Sequence, residues 1–338
     1  MKKYDVLILT DHSNHTKENS LYALASTMLK HPLTNKIDVA SRANKENESF
    51  FKSIHDSKLF VSQVDEGFSF SENGEVLSNK LEMAKLEDYD LIWLRIPPPL
   101  SKKFLDFISR TFEHQVVINN PKGIYESGSK EFLVNFQDIC PPLKICKTKS
   151  DIVELKNQFP IVLKPFREYG GKGIIRIAGN NVWSGKQSLS FKDFIDQLDD
   201  RQLPYLGVKF LKNVSQGDKR IIVVNGQVMG ASLRLPPKDS WLCNVAMGGT
   251  STMAEVDDHE RSIVKVIDPT LSKMGIVMYG LDTLVGDNGK RVLSEINTTS
   301  IGGLPQIASL RKLPLLDEAI DLIWFYFLKN KKNECSTK

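Results

Sequence analysis

The sequence YGLDTLVGDNGKRVLSEIN, residues 279–297, predicts a β-hairpin that carries two opposed carboxylates. Asn288-Gly289 between runs of alternating apolar residues is typical of a two-residue type I′ turn. That loop pairs residue 287 with residue 290, so Asp282 faces Glu295 and Asn297 projects from the same face. Like charges directly opposed in a hairpin are destabilising, so a neutralising partner is expected.

A divalent cation is the partner that we favour for these carboxylates. Two carboxylates and an amide carbonyl are hard oxygen ligands, which suit Mg²⁺ held jointly with substrate phosphates. The alternative is an exposed hairpin whose carboxylates are solvated or paired with lysines. Apolar residues beside the acids favour a buried metal site, namely Leu281, Leu284, Leu293 and Ile296. A longer loop would shift the register and separate Asp282 from Glu295.

A glycine-rich segment, residues 170–173 (GGKG), follows the apolar run 161–164. Three glycines in four residues let backbone N–H groups wrap a phosphate, with Lys172 as a counter-charge. The segment is not a Walker A motif, because Phe166 stands where that motif needs glycine, and a plain turn explains it equally well. Lys164 ends an apolar strand, where an unpaired ammonium is costly, so a phosphate or a snorkelling position is expected there.

Two arginines mark a further hairpin whose strands are joined by Asn225-Gly226. Arg220 begins one apolar strand and Arg234 ends the next. Arginine is favoured where planar oxyanions are held bidentately, although ordinary strand-end arginines are the alternative. No Ser-His-Asp or Cys-His nucleophile is predicted, because the six histidines lie in loops or on polar helix faces.

Length and composition exclude several classes of protein. The 338 residues give a prior of about two to three domains. Hydrophobic residues at 41% and charged residues at 25% exclude a disordered or collagen-like chain, and a net charge of +4 gives no basic stripe for nucleic acid. The longest apolar run, residues 322–328, is far shorter than the roughly 20 residues of a membrane span. Four cysteines without a CxxC motif predict a reduced, cytoplasmic compartment and no structural zinc.

The order of predicted elements divides the chain into one α/β domain and two α+β domains. In the first third, strands alternate with helices, which predicts βαβ units and a parallel sheet. Boundaries near Asn120–Pro121 and Pro204 give domains 1–120, 121–204 and 205–330 and a polar tail 331–338. The predicted strands are 6–9, 59–64, 91–95, 116–118, 143–147, 161–164, 173–177, 205–211, 219–224 and 227–235. The predicted helices are 20–29, 104–112, 151–158 (capped by Ser150 or Asp151), 257–274 and 315–328.

Together these segments resemble the ATP-grasp superfamily, in particular the bacterial glutathione synthetase family. The resemblance covers nearly the whole chain and rests on residues 162–165 (VLKP), 170–173, 217–220 (GDKR), 280–282 (GLD) and 295–300 (EINTTS). It implies an ATP-grasp fold of two α+β lobes, preceded by a Rossmann-like parallel-sheet domain.

The resemblance implies an ATP- and Mg²⁺-dependent ligase. Asp282, Glu295 and Asn297 would bridge the metal. The residues implied to bind ATP are Lys130, Lys164, Gly170, Gly171, Lys172, Gly173, Val208, Lys209, Phe210, Leu211 and Asp218, with adenine against the strand around 208–211. A substrate carboxylate would take the γ-phosphoryl group and an amine would attack the acyl phosphate, while Arg220 and Arg234 stabilise the developing charge. Such chemistry needs positioning and cations rather than a protein nucleophile.

The substrates implied by the family are γ-glutamylcysteine and glycine, with substrate-side residues Ser20, Arg95, Asn244, Gly248, Gly249 and Ser300. Leu242 and Thr250 stand where the family's mobile loop carries arginines. Three hypotheses therefore stay open: glutathione synthesis, ligation to a different amino acid or peptide, and a non-catalytic ATP-binding protein. We expect small-molecule partners and neither nucleic acid nor membrane. Residues 322–328 are expected to be buried in a homo-oligomer or in the core of the carboxy-terminal domain.

Overall fold

The computed structural model describes residues 2–54, 58–185, 187–237 and 250–335. Three β-sheets, of six, six and five strands, follow one another along this part of the chain. Within it, no helix is long and apolar enough to cross a membrane.

The first sheet is mixed rather than purely parallel. Its strands are β1 (Tyr4–Thr10), β2 (Thr34–Ser41), β3 (Phe60–Gln63), β4 (Glu82–Met83), β5 (Leu91–Leu94) and β6 (Val116–Ile118). Strands β2, β1, β5 and β6 are parallel neighbours, as predicted, whereas β3 and β4 extend the sheet in antiparallel pairing. The helices that follow these strands are α1 (Ser20–Lys30), α2 (Glu75–Ser78) and α3 (Lys102–Thr111), with single-turn segments at Lys45–Asn47, Ser49–Ser53 and Leu86–Asp88.

Strand β2 was not predicted, because polar residues interrupt its apolar pattern. Asp38 is only 5% exposed in the middle of this strand. Its carboxylate accepts a hydrogen bond from the Tyr89 hydroxyl at 2.6 Å and pairs with Lys36 at 3.1 Å. A charged residue can thus be buried in a strand when its partners come from elsewhere in the fold, which the local pattern does not reveal.

The second sheet is antiparallel and forms the smaller lobe. Helix α4 (Pro121–Ser127) and the helical segment Lys130–Ile139 precede it. Its strands are β7 (Leu143–Cys146), β8 (Ile161–Pro165), β9 (Ile175–Ala178), β10 (Asn181–Ser184), β11 (Gln187–Ser190) and β12 (Tyr205–Lys209), in the order β11-β10-β9-β8-β12-β7. Helix α5 (Lys149–Gln158) and helix α6 (Phe191–Gln197) lie between strands.

Two details of the smaller lobe differ from the sequence prediction. The boundary predicted at Pro204 is wrong for β12, because this strand pairs with β7 and β8 inside the second sheet. The predicted cap of α5 is also wrong: Thr148 caps the helix, and Asp151 returns a hydrogen bond as the third residue of a capping box.

The third sheet is antiparallel and carries most of the predicted chemistry. Its strands are β13 (Asp218–Val224), β14 (Gln227–Leu235), β15 (Thr250–Ala254), β16 (Met278–Val285) and β17 (Arg291–Asn297), in the order β15-β14-β13-β16-β17. Helix α7 (Asp258–Lys273) precedes β16, and α8 (Leu304–Arg311) and α9 (Leu315–Cys335) follow β17. Helix α9 continues to Cys335, so most of the segment predicted as a polar tail is helical.

One face of the apolar segment 322–328 of α9 is buried against the first sheet and its helix α1 as well as against the third sheet, whereas Phe325 on the other face is 62% exposed. Trp324 and Phe327 are at most 1% exposed and share one core cluster with Leu21 of α1 and Ile222 of β13. The ring of Phe327 packs edge-on against Tyr4 of β1, with the ring centroids 4.8 Å apart. The predicted burial in the core of the carboxy-terminal domain is therefore confirmed for these residues, and the same core also includes the first sheet. The predicted homo-oligomer stays a prediction.

Candidate active site

The hairpin β16–β17 places Asp282 directly opposite Glu295, as the sequence predicts. The predicted two-residue loop is wrong, since Val285 pairs with Arg291 and residues 286–290 form the loop. This longer loop moves the register by one residue. A β-bulge between Thr283 and Asp282 moves it back, because Ser294 is the extra residue on β17. The two carboxylates therefore face each other only because two irregularities compensate.

Arg220 of the neighbouring strand β13 pairs with Asp282 in register. Its guanidinium holds the carboxylate bidentately, with Nε to Oδ1 and Nη2 to Oδ2 both at 2.7 Å. Arg234 approaches the same Oδ2 with Nη2 at 2.9 Å, and Asn297 donates to it from Nδ2 at 3.1 Å. Asp282 is thus a buried carboxylate that is surrounded by donors.

Arg234 also binds Asp218, which lies opposite it on β13. Its Nε is 2.5 Å from Asp218 Oδ1 and its Nη2 is 2.8 Å from Oδ2. Two carboxylates and two guanidiniums therefore alternate across β14, β13 and β16, in the order Asp218, Arg234, Asp282, Arg220. Such alternation offsets much of the cost of burying each charge.

The pKa values of these groups follow from burial and from this pairing. Burial by itself would raise the pKa of Asp282, but Arg220 and Arg234 hold it below its ordinary value. Burial and the charge of Asp282 raise the pKa of Asp218 above its ordinary value, in spite of Arg234. Burial opposes the charge of Arg234, yet Asp282 and Asp218 raise its pKa. Asp282 consequently remains an anion at neutral pH.

A cleft of about 870 Å³, open to solvent, lies between the second and third sheets. The predicted residues that line it are Lys130, Lys164, Gly171, Lys172, Val208, Lys209, Phe210, Leu211, Asp218, Asp282 and Glu295. Segments up to 165 residues apart thus meet in one cavity, at the place between two lobes where the family resemblance puts ATP.

Two lysines face the acidic pair from the smaller lobe. The ammonium of Lys164 lies 3.3 Å from Ser294 Oγ and 3.4 Å from its carbonyl oxygen. Burial lowers the pKa of Lys164, Glu295 opposes this shift, and the nearby Lys130 adds to it. Lys130, 9% exposed, donates to the Glu168 carbonyl and lies 3.5 Å from Glu295 Oε1. The two ammonium groups are incompletely neutralised, which favours a polyanion in the cleft.

The glycine segment shapes one wall of the cleft. Gly170, Gly171 and Gly173 have φ values of 65°, 82° and 67°, a region that glycine adopts without strain. A Cβ on Gly173 would lie 2.9 Å from Pro165 Cγ. Among the three glycines, Gly171 lines the cleft together with Lys172, whereas Gly170 and Gly173 set the path of the loop.

In the segment around 208–211, predicted to bind adenine, some backbone groups already form hydrogen bonds with neighbouring segments of the chain. The amides of Lys209 and Phe210 donate to the Pro142 and Pro160 carbonyls, both at 2.8 Å. Val162, Ile174 and Leu284 form an apolar wall of the cleft that was not predicted from the sequence. Val162 and Leu284 each lie two residues from a predicted site residue on the same strand, so the period of two could have identified them.

The predicted substrate-side residues form a separate cluster. Arg95 is 4% exposed and donates to Ser20 Oγ at 2.6 Å and to the Ile301 carbonyl at 2.9 Å. Ser300 donates to the Arg95 carbonyl at 2.5 Å. Burial lowers the pKa of Arg95 to about 10. Asn244, Gly248 and Gly249, together with Leu242, lie outside the described residues.

The predicted magnesium ligands have the chemistry that the ion requires. Asp282 and Glu295 face each other with 5% and 29% of their side chains exposed, and Asn297 contacts Asp282 directly. Carboxylates and an amide oxygen suit Mg²⁺, which usually also binds phosphates and water. Among the described residues, no three His, Cys, Asp or Glu side chains gather as a metal site of their own. Two carboxylates and one amide oxygen fit a cation whose remaining ligands are phosphate and water.

The chain is similar to known proteins over most of its length. The family model described as "Prokaryotic glutathione synthetase, ATP-grasp domain" matches residues 129–312. The glutathione synthetase of Prochlorococcus marinus (strain MIT 9313) is 31% identical over 241 residues, which are 70% of this chain and 74% of that protein. The glutathione synthetase of Bradyrhizobium diazoefficiens is 30% identical over 230 residues, which are 67% of this chain and 69% of that protein.

Solved structures share the fold at low sequence identity. D-alanine–D-alanine ligase from Bacillus anthracis, complexed with ATP, has a TM-score of 0.58 and 12% identity and covers 98% of this chain and 99% of its own. The ATP-grasp ligase PsnB, complexed with minimal precursor, Mg and ADP, has a TM-score of 0.55 and 13% identity and covers 96% and 98%. The fold, the family match over 129–312 and the two relatives agree: this chain has the ATP-grasp fold and belongs to the prokaryotic glutathione synthetase family.

Proposed function

We propose that this chain is an ADP-forming ligase that uses ATP and Mg²⁺ to join the carboxylate of γ-glutamylcysteine to the amine of glycine. The observation that carries the proposal is the cleft in which Lys130 and Lys164 face the opposed carboxylates of Asp282 and Glu295. Family membership supplies the substrates, because the relatives at 30% and 31% identity are glutathione synthetases.

The residues of the cleft have separable tasks in this proposal. Lys130 and Lys164 hold the phosphates of ATP, and the apolar wall at Val162, Ile174 and Leu284 receives the adenine. Mg²⁺ held by Asp282, Glu295 and Asn297 would neutralise negative charge on the transferring phosphoryl group. Positioned cations of this kind account for most of the catalysis in phosphoryl transfer, and no protein nucleophile is needed.

Arg220 and Arg234 are proposed to stabilise the acyl phosphate and the tetrahedral intermediate. Both guanidiniums lie beside Asp282, so their positive charge is held next to the ligands of the metal. Preorganised donors aimed at developing negative charge are worth about 3–4 kcal/mol each in other acyl-transfer sites.

A direct assay tests the substrates. Purified protein with Mg²⁺-ATP, γ-glutamylcysteine and glycine should form the tripeptide and release ADP and inorganic phosphate. A coupled ADP assay and mass spectrometry measure these products. Omission of either substrate should abolish sustained ADP release. Absence of dipeptide-dependent turnover would refute glutathione synthesis.

A second candidate is ligation to another amino acid or peptide acceptor. The observation that favours it is the sequence of the loop, where Leu242 and Thr250 stand in the places of the family's arginines. Screening amino acids and γ-glutamyl peptides for stimulated ADP release separates the two candidates. We place either reaction in the cytoplasm, because the buried Cys140 and Cys146 are free thiols.

A further inference from the structure

Both oxygens of the Asp282 carboxylate accept hydrogen bonds from protein donors, and Oδ2 accepts more of them than Oδ1. A carboxylate has about four lone-pair sites. Arg220 Nε occupies Oδ1, and Arg220 Nη2, Arg234 Nη2 and Asn297 Nδ2 share Oδ2. A cation that binds Asp282 through Oδ2 must therefore displace at least one of these donors.

Glu295, the other proposed carboxylate ligand, is less strongly held. Its contact with Lys130 is 3.5 Å long, and its side chain is 29% exposed against 5% for Asp282. The deeper of the two acids is thus the one that the protein already neutralises. A cation that arrives alone would meet one weakly held carboxylate, Glu295, and one carboxylate, Asp282, that is already paired with two arginines.

Arg220 and Arg234 differ in how firmly they are fixed. Arg234 is held between Asp218 and Asp282, with 11% of its side chain exposed. The hydrogen bonds and ion pair that the structure gives to the Arg220 guanidinium all go to Asp282, and 22% of its side chain is exposed. Arg220 is therefore the donor that can leave without breaking a second ion pair.

We propose that Arg220 keeps a free divalent cation off Asp282 and releases this carboxylate only when nucleotide phosphates enter the cleft. The inference rests on the proposed function in one respect, namely that Asp282 is a metal ligand. Without phosphate, a cation would have to displace Arg220 and approach Arg234, Lys164 and Lys130. A polyphosphate offsets this repulsion and offers the displaced guanidinium a new anionic partner. Cation binding is then obligatorily coupled to nucleotide binding.

Mn²⁺ binding measured by electron paramagnetic resonance tests this coupling without any turnover. Wild-type protein should bind Mn²⁺ weakly alone and at least about tenfold more tightly with the non-hydrolysable analogue AMP-PNP. In Arg220→Met, affinity for Mn²⁺ without nucleotide should rise by about tenfold or more, because a competing bidentate ion pair is lost.

Two further variants distinguish direct occupation of the Asp282 oxygens by Arg220 from a general effect of positive charge near the site. Arg220→Lys keeps the charge but cannot hold both oxygens, so its nucleotide-free affinity should lie between wild type and Arg220→Met. Arg291→Met removes an arginine from β17, whose described contacts are with Glu260 and backbone carbonyls rather than with Asp282, and should bind Mn²⁺ as wild type does. Thermal unfolding confirms that each variant is folded.

The inference is overturned if wild-type protein binds Mn²⁺ equally tightly with and without AMP-PNP. It is also overturned if Arg220→Met and Arg220→Lys both match wild type without nucleotide. If Arg220→Met gains affinity while wild-type protein turns over no carboxylate, the proposed function fails and the inference stands. The two failures are therefore distinguishable.

Discussion

Two buried arginines, Arg234 beside the cleft residue Asp282 and Arg95 directly after strand β5, are stabilised in opposite ways. Arg234 is 9% exposed and binds two carboxylates, which raise its pKa. Arg95 is 4% exposed, and its described hydrogen-bond partners are the Ser20 hydroxyl, the Ile301 carbonyl and the sulfur of Met278. Burial without an anion lowers the pKa of Arg95 to about 10.

The difference indicates which partners of each buried arginine a ligand can replace. Around Asp282, the buried charges of Arg220, Arg234 and Asp218 each have a partner of opposite sign that a ligand can replace, whether a metal ion, a phosphate or a carboxylate. At Arg95 the cation binds neutral oxygens that come from α1 and from the segment after β17, so it links distant parts of the chain. Its predicted contact with substrate stays a prediction, whereas its contact with Ser20 and Ile301 is a feature of the structure.

The strongest test of the cleft as the functional site is Asp282→Asn. We expect kcat for ADP release to fall by about 10³-fold or more, because a metal ligand is lost and Arg220 and Arg234 lose their shared anion. Asp106→Asn is the matched control, since it breaks an exposed pair with Lys102 at 2.7 Å and should keep full activity. Near-normal turnover in Asp282→Asn would show that the metal and its arginines act elsewhere.

Lys164→Met separates ligand binding from folding in the same cleft. Affinity for ATP should fall by about 10²-fold, because an ammonium next to the phosphates is lost. Stability without ATP should not decrease, since the hydrogen bonds described for Lys164 go to neutral oxygens of Ser294 at 3.3–3.4 Å. Titration calorimetry and thermal unfolding measure the two effects, with the exposed Lys192→Met as control. A large loss of stability with unchanged ATP affinity would show that Lys164 has a structural role rather than a role in ATP binding.

Arg95→Met should show the opposite combination. The free energy of unfolding should fall by about 2 kcal/mol, because hydrogen bonds from a charged donor to Ser20 and Ile301 are lost. Affinity for ATP should stay at the wild-type value, since Arg95 does not line the cleft. Urea denaturation and calorimetry check both, and the exposed Arg110→Met is the matched control. A loss of ATP affinity as large as that of Lys164→Met would show that Arg95 also contributes to ATP binding.

A smaller effect is expected from the titration of His15, which makes the free energy of unfolding depend on pH. Burial lowers the pKa of His15, whose Nδ1 lies 3.0 Å from the Tyr22 hydroxyl, from 6.5 to about 4. The unfolded chain takes up this proton near pH 6.5 and the folded chain does so near pH 4, so the free energy of unfolding falls as pH decreases through this interval. We expect this residue to contribute about 1 kcal/mol to the fall, after allowance for its partial exposure.

His15→Gln should flatten the dependence of stability on pH between 6.5 and 4, as measured by urea unfolding at several pH values. His114→Gln changes a histidine whose side chain is 86% exposed and should keep the wild-type slope. Asp282 contributes no slope in this interval on the folded side, because its pKa lies below its ordinary value and it remains ionised. An unchanged slope in His15→Gln would show that His15 does not cause this pH dependence of stability.

Local sequence determined the elements that alternate cleanly and the motifs within them. Strands β13 and β14, joined by Asn225-Gly226, and the ends of α7 follow closely from apolar periodicity, turn residues and caps. The glycine segment and Lys164 were predicted from the residues themselves, whereas Lys130, residues 208–211 and Asp218 were implied only by the family resemblance. The polar strand β2 was not predicted, because it pairs with β1, about 30 residues earlier in the chain. The short strands β10 and β11 pair locally, but their polar residues give no apolar alternation.

The tertiary structure decided which of these residues contact one another and which charged side chains face a ligand. The opposition of Asp282 and Glu295 depends on a bulge at Ser294 that no turn rule predicts, since it compensates a loop of different length. The alternation of Asp218, Arg234, Asp282 and Arg220 requires three strands to pair in register. The sequence by itself therefore determined the chemical groups and the family. Only the fold decided that Arg220 occupies the proposed metal ligand and that Arg95 binds neutral oxygens, because electrostatic partners are chosen by proximity in space rather than by order along the chain.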